Sequence, residues 1–207
     1  TGTEVRLTSR GSSAHALIGA GGGILNTATD FPSGTITGAT WVTATNGGVS
    51  LNSSGGGSQA FTQIGMGGLL NDGTFNGTSP VSTTVSATGA ITLTGGGSSN
   101  TYAQIGAGGA GGGLGSDIGH RYNAGVSVTG ASLSLLAGSG NSSYAQIGSS
   151  GGRTGGGNPS EGDVVGEIIV EATSGDVTLT GGTGRYTHAQ IGHGGNLVSG
   201  DLSGDVR

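Results

Sequence analysis

Tyr102-Ala103-Gln104-Ile105-Gly106-Ala107-Gly108-Gly109 is the stretch on which the reading of this chain turns, because it returns four more times with small changes. The other versions are His15-Ala16-Leu17-Ile18-Gly19, Phe61-Thr62-Gln63-Ile64-Gly65, Tyr144-Ala145-Gln146-Ile147-Gly148 and His188-Ala189-Gln190-Ile191-Gly192. Their isoleucines are 46, 41, 42 and 44 residues apart. A fixed period in this range marks a solenoid, a propeller or a modular array. In such chains each copy buries its apolar face against the next.

Composition narrows the local structure. Of 207 residues 51 are glycine, with no cysteine, 8% charged and 4% aromatic. Each glycine costs roughly 0.8–1 kcal/mol against alanine in a helix, so a helical reading fails. Poverty of charge and aromatics would suit a disordered chain, but the regular apolar positions argue for order. What remains is short strands and turns around a thin interior of Val, Ile, Leu and Ala. The net charge of −5 and six scattered arginines leave no basic stripe, so no nucleic-acid partner is expected. Apolar runs of a few residues predict no membrane span.

Three β-type stretches recur in each period. The first is Trp41-Val42-Thr43-Ala44, Thr84-Val85-Ser86-Ala87, Val126-Ser127-Val128-Thr129 and Ile168-Ile169-Val170-Glu171-Ala172. After a Gly/Asn turn comes the second: Val49-Ser50-Leu51, Ile91-Thr92-Leu93-Thr94, Leu133-Ser134-Leu135 and Val177-Thr178-Leu179-Thr180. A glycine corner such as Gly95-Gly96-Gly97 leads into the third, the phrase quoted above. Alternation with period two predicts one buried and one exposed face on every strand. Long connections of changing length (Gly67 to Pro80, Gly108 to Gly125, Ser149 to Gly166) follow the third stretch.

Stacking the copies turns these stretches into columns. The corners Ile18, Ile64, Ile105, Ile147 and Ile191 would line one file inside. On the opposite face Gln63, Gln104, Gln146 and Gln190 would form an amide ladder, and Phe61, Tyr102 and Tyr144 a ring stack, as in cross-β assemblies. A binding row is the rival reading of the glutamines. Leu17 breaks it in the first copy. The expected fold is all-β, a right-handed parallel β-helix of about five 43-residue repeats filling residues 1–207 as one repetitive segment. The alternative is a five-bladed β-propeller, which three strands per unit and scarce aromatics disfavour.

Chemistry-bearing constellations are sparse. Gly112-Gly113-Leu114-Gly115-Ser116-Asp117 opens like a calcium-binding nonapeptide but stands alone. Glu161, Asp163, Glu167, Glu171 and Asp176 are the densest acids. A glycosidase needs two carboxylates at set spacing, and no other repeat matches them, so edge charges that discourage strand pairing explain them. His15, His120, His188 and His193 lack zinc-ligand spacing. Thr92/Thr94 and Thr178/Thr180 invite an ice-binding reading, but Ser50/Asn52 and Ser132/Ser134 interrupt the grid. No cofactor, metal or catalytic residue is expected, and the chain is not read as an enzyme.

The chain begins in a second stretch (Val5-Arg6-Leu7-Thr8) and stops in a first one (Gly204-Asp205-Val206-Arg207), without cap sequences. An uncovered layer is adhesive, so the expectation is a window from a longer array or a unit that continues end to end. The run Gly175-Asp176-Val177-Thr178-Leu179-Thr180-Gly181-Gly182, then Tyr186 to Gly195 and Ser203-Gly204-Asp205-Val206, resembles the repeat regions of large bacterial surface proteins of the filamentous-haemagglutinin type. That resemblance implies a right-handed parallel β-helix at the cell surface or outside the cell, used for adhesion or as an extended fibre. Its expected partners are other copies of itself, and glycans of host or neighbouring cells. A carbohydrate-binding or carbohydrate-cleaving β-helix is the second reading, and an ice-binding solenoid the third.

Overall fold

A computed structural model describes residues 1–20, 35–68, 74–77, 82–109, 111–112, 120–149, 153–154, 160–196, 198–199 and 201–207. They form strands, turns and bends, and none of them is helical. The first sheet contains Thr40–Ala44, Thr83–Ala87, Val126–Gly130 and Ile168–Ala172. The second contains Val5–Thr8, Val49–Asn52, Ile91–Thr94, Leu133–Leu136 and Val177–Thr180. The third contains His15–Ile18, Phe61–Ile64, Tyr102–Ile105, Tyr144–Ile147 and His188–Ile191.

Every strand pair among the described residues is parallel and joins a strand to its counterpart one period away. Tyr102 pairs with both Phe61 and Tyr144, and Ile105 with both Ile64 and Ile147. No other strand intervenes, so one period makes one layer. Propeller blades pair the strands of a single unit with each other. The pairing here is the reverse, and the propeller alternative is set aside.

A fourth sheet lies where the sequence predicted only connections. It contains Thr35–Gly38, Thr74–Gly77, His120–Asn123 and Ser160–Val165, with Val198–Ser199 and Leu202–Ser203 both on the last of these. Its register sets Ile36, Phe75, Tyr122, Val164 and Leu202 in one column. One bulky residue per period is the pattern common to all its copies, and linkers of changing length hide it. The expectation of three strands per period is corrected to at least four among the described residues, since two periods add a short pair, Gly111–Gly112 with Arg153–Thr154.

The main core collects the inward residues of the first three sheets, among them Val42, Val85 and Val128, Leu51, Leu93 and Leu135, and Ile64, Ile105 and Ile147. In the interior layers of the first two sheets burial alternates along each strand, as a strand with one wet face requires. The third sheet departs from expectation. All four residues of Phe61–Ile64, Tyr102–Ile105 and Tyr144–Ile147 are buried. A second cluster of Met66, Ala107, Ala124 and Val164 follows the turn after those strands and reaches into the fourth sheet. The chain thus folds back over the outer side of the third sheet and dries both its faces.

That turn depends on a column of glycines. Gly65, Gly106 and Gly148 have φ of 133°, 142° and 144°, in the region that favours glycine. A Cβ on Gly106 would lie 2.1 Å from the carbonyl oxygen of Gly148, and one on Gly65 2.2 Å from that of Gly106. Glycine here lets successive layers meet at strand distance. Gly106→Ala is expected to cost at least about 1–3 kcal/mol from backbone strain alone. Gly181→Ala, where an added Cβ meets nothing within 4 Å, should stay within about 0.5 kcal/mol. Denaturant unfolding of the two variants compares them, and equal stabilities would contradict the packing described.

Candidate functional site

The densest constellation of polar and aromatic side chains is on the outer face of the third sheet. Parallel register brings His15, Phe61, Tyr102, Tyr144 and His188 into one file. Successive ring centroids are 5.2, 4.9, 4.8 and 4.9 Å apart, with planes within 10° of parallel. These distances are the strand spacing itself, and fall in the favourable range for parallel offset rings. The three central rings are buried and the two histidines close the file at either end.

Gln63, Gln104, Gln146 and Gln190 stand in register beside the rings. Their amides reach a different target from the one the sequence suggests. Gln63 Nε2 donates to the carbonyls of Met66, Gly106 and Gly108 at 3.1, 3.1 and 2.8 Å. Gln104 Nε2 donates to Ala107 and Gly148 at 3.3 and 3.0 Å, and Gln146 Nε2 to Gly192 and Gly194 at 3.0 and 2.7 Å. Gln190 Nε2 bonds the carbonyl of His193 at 3.0 Å. The glycine turns carry carbonyls outside the strand ladders, and a buried carbonyl needs a donor. The amides of Gln63, Gln104 and Gln146 therefore tie their own layers to the turn of the following one, and that of Gln190 stays within its own layer. Returning the contact, Tyr102 Oη lies 3.5 Å from Gln63 Oε1, and Tyr144 Oη 3.4 Å from Gln104 Oε1.

Two other features of this strip escaped the sequence reading. Ser13, Gln59, Asn100, Ser142 and Tyr186, each two residues before a ring, have φ of 53–65° although none is glycine. No residue type is common to all five, so the repeated left-handed turn has no signature in the sequence. Two residues past the last isoleucine, His193 accepts the Ser149 N–H on Nδ1 at 3.2 Å, and its Nε2 lies 2.7 Å from the Gly166 carbonyl. These partners fix the neutral ring with its proton on Nε2. Ser149 in turn donates from Oγ to the Ala124 carbonyl.

Burial holds both His188 and His193 below the ordinary imidazole value of 6.5. Close to His193 the Gly166 carbonyl works the other way. The Tyr186 backbone also favours the charged form of His188, yet neither His188 nitrogen meets a partner at hydrogen-bonding geometry. A base held neutral by the fold binds protons more readily when unfolded. This contribution to stability is therefore full above about pH 6.5 and is lost as the pH falls below it, toward the lower folded value.

Outside the third sheet the candidates are dispersed. Register pairs Ser50, Thr92, Ser134 and Thr178 in one column, and Asn52, Thr94, Leu136 and Thr180 in the next. The apolar Leu136 thus fills the slot that Ser132/Ser134 assigned to a serine, and the threonine grid is broken further. Trp41 is 69% exposed on the first sheet. Asp163 Oδ1 accepts the Asp201 N–H, and Glu167 pairs with Arg207. Among the described residues no group of three or more His, Asp or Glu is placed to hold a metal ion. Most of the calcium-like hexapeptide, from Gly113 onward, lies outside the described residues.

No family model, curated protein or solved structure matches this chain. The chemistry of the third-sheet strip is therefore read from its own contacts. Its amide donors are turned toward the chain's own carbonyls, and its rings toward each other. Gln63→Leu should lose about 1–3 kcal/mol, since the buried Gly106 carbonyl loses its amide donor while those of Met66 and Gly108 keep backbone N–H partners. Gln63→Glu should lose more at neutral pH, because a carboxylate would face carbonyl oxygens, and should recover partly near pH 4. Thermal unfolding across pH checks both, and a glutamate variant as stable as the parent would contradict the geometry.

Proposed function

We propose that this chain is a right-handed parallel β-helix of about five turns, each of about 43 residues, and that its role is mechanical. It would serve as a stiff segment of an extracellular bacterial filament or large surface adhesin, joining further copies end to end or continuing into further repeats. The observation that carries this reading is the persistence of one inward pattern through every layer. Val5, Val49, Ile91, Leu133 and Val177 form one column, and Leu7, Leu51, Leu93, Leu135 and Leu179 another. Leu133 and Leu135 are 1% and 0% exposed, whereas Val177 and Leu179 are 43% and 44% exposed on the last layer.

A ladder that repeats along one axis resists bending through its backbone hydrogen bonds, while its variable connections are free to differ from turn to turn. Adhesion to glycans and residence outside the cell rest on the resemblance to haemagglutinin-type repeats. The absence of a catalytic role rests on the lack of a converging carboxylate pair in the sequence.

Electron microscopy of the purified chain at neutral pH should show thin rods with a meridional spacing of about 4.8 Å along the rod. Leu179→Arg, which charges the open edge, should reduce the rods to single short particles with unchanged circular dichroism. Compact monomers for the parent chain at high concentration, or rods indifferent to Leu179→Arg, would overturn end-to-end assembly.

A further inference from the structure

On the outer face of the third sheet each ring is matched to a side chain of the layer before it, two positions further along the strand. Tyr102 Oη faces Gln63 Oε1 at 3.5 Å, and Tyr144 Oη faces Gln104 Oε1 at 3.4 Å. Phe61, which has no hydroxyl, follows a layer that holds Leu17, which has no acceptor. In these three steps a phenol donor stands where an amide acceptor precedes it, and neither stands where the other is missing.

The fourth step departs from this rule. The layer of Gln146 is followed by His188. An imidazole is shorter than a phenol and carries no atom where tyrosine carries Oη. Gln146 is 0% exposed, and its Nε2 donates to the carbonyls of Gly192 and Gly194 in the orientation of Gln63 and Gln104. Its Oε1 meets no hydrogen-bonding partner among the described residues. Neither does Nδ1 or Nε2 of His188, although all three atoms are buried.

A third residue brings a donor to the same place. Gly194 donates its N–H to the Ser149 carbonyl as Gly108 does to that of Met66. The turn after Ile191 therefore follows the course of the turn after Ile105, with Gly195 as the counterpart of Gly109. A Cβ on Gly109 would lie 2.6 Å from Tyr102 Oη, so this part of the turn passes beside the phenol oxygen. Next to Gly195 stands Asn196, whose Nδ2 is likewise buried and meets no partner among the described residues.

We propose that Gln146, His188 and Asn196 hold one ordered water molecule at the place that tyrosine Oη takes in the interior layers, joining the fourth layer to the fifth. Water can donate to Gln146 Oε1 and to the bare nitrogen of a neutral imidazole while accepting from the Asn196 amide. That is the set of partners a buried water keeps. An unanswered buried amide oxygen is costly, and a bridging water serves nearly as well as a direct bond. Each of these atoms is buried by this chain itself, so the site is independent of end-to-end assembly.

A crystal structure that resolves ordered water tests the site. It should show a water within about 3.2 Å of both Gln146 Oε1 and a His188 nitrogen. In His188→Tyr the phenol oxygen should replace that water and bond Gln146 Oε1. Thermal unfolding gives an independent reading. His188→Tyr should melt at least about 2 °C above His188→Phe, because only tyrosine answers Gln146. Phe61→Tyr, placed against Leu17, should melt below the parent. Circular dichroism verifies that the variants are folded. A crystal structure with no water between Gln146 and His188 would overturn the site. So would a His188→Tyr variant that melts no higher than His188→Phe, or a Phe61→Tyr variant that melts above the parent.

Discussion

Parallel, in-register hydrogen bonding between one period and the next is the constraint on which everything else in this molecule depends. It sets a layer spacing of about 4.8 Å and repeats each side chain at that interval. A residue type survives at a position only if it packs on itself. Isoleucine, valine and leucine do so by interdigitating, and aromatic rings by offset stacking. Amides do so by donating one layer onward. The few charges lie largely at the outer layers or on the connections, where self-stacking is not imposed. The 8% charged composition follows from this geometry as much as from any demand for dryness.

Glycine and glutamine solve complementary parts of one problem. Glycine at 65, 106 and 148 allows the backbone of one turn to approach the carbonyl of the next closely, and no other residue would fit. That approach leaves carbonyls pointing away from the strand ladders. Glutamine at 63, 104 and 146 supplies the donors, from a buried position two residues before the glycine. Either residue without the other would leave a clash or an orphaned acceptor, so the phrase Gln-Ile-Gly is a physical unit. Its recurrence is what first exposed the period.

Much of this was legible in the sequence because periodicity multiplies weak signals. The parallel all-β architecture, the strand positions and the shared register of the Ile, Gln and aromatic columns follow from letters repeated about every 43 residues. The fourth sheet was not legible, since Ile36, Phe75, Tyr122, Val164 and Leu202 share only bulk and sit behind linkers of different length. The double burial of the third strands was also hidden, because the covering chain comes from those same linkers. Tyr102 and Gln104 looked like an outward face by alternation, and only the fold-back over Met66 and Ala107 shows why they are not. The five left-handed residues, Ser13, Gln59, Asn100, Ser142 and Tyr186, have no one letter common to all.

Val177 and Leu179 expose, on the last described layer of the second sheet, positions that Leu133 and Leu135 bury one layer further in. The most direct measurement of the central claim is a methyl–methyl nuclear Overhauser experiment on isoleucine-labelled protein. The account predicts that Ile105 shows cross-peaks to both Ile64 and Ile147, while Ile64 and Ile147, two layers apart, show none to each other. Absence of the Ile105–Ile147 contact, or a direct Ile64–Ile147 contact, would contradict it.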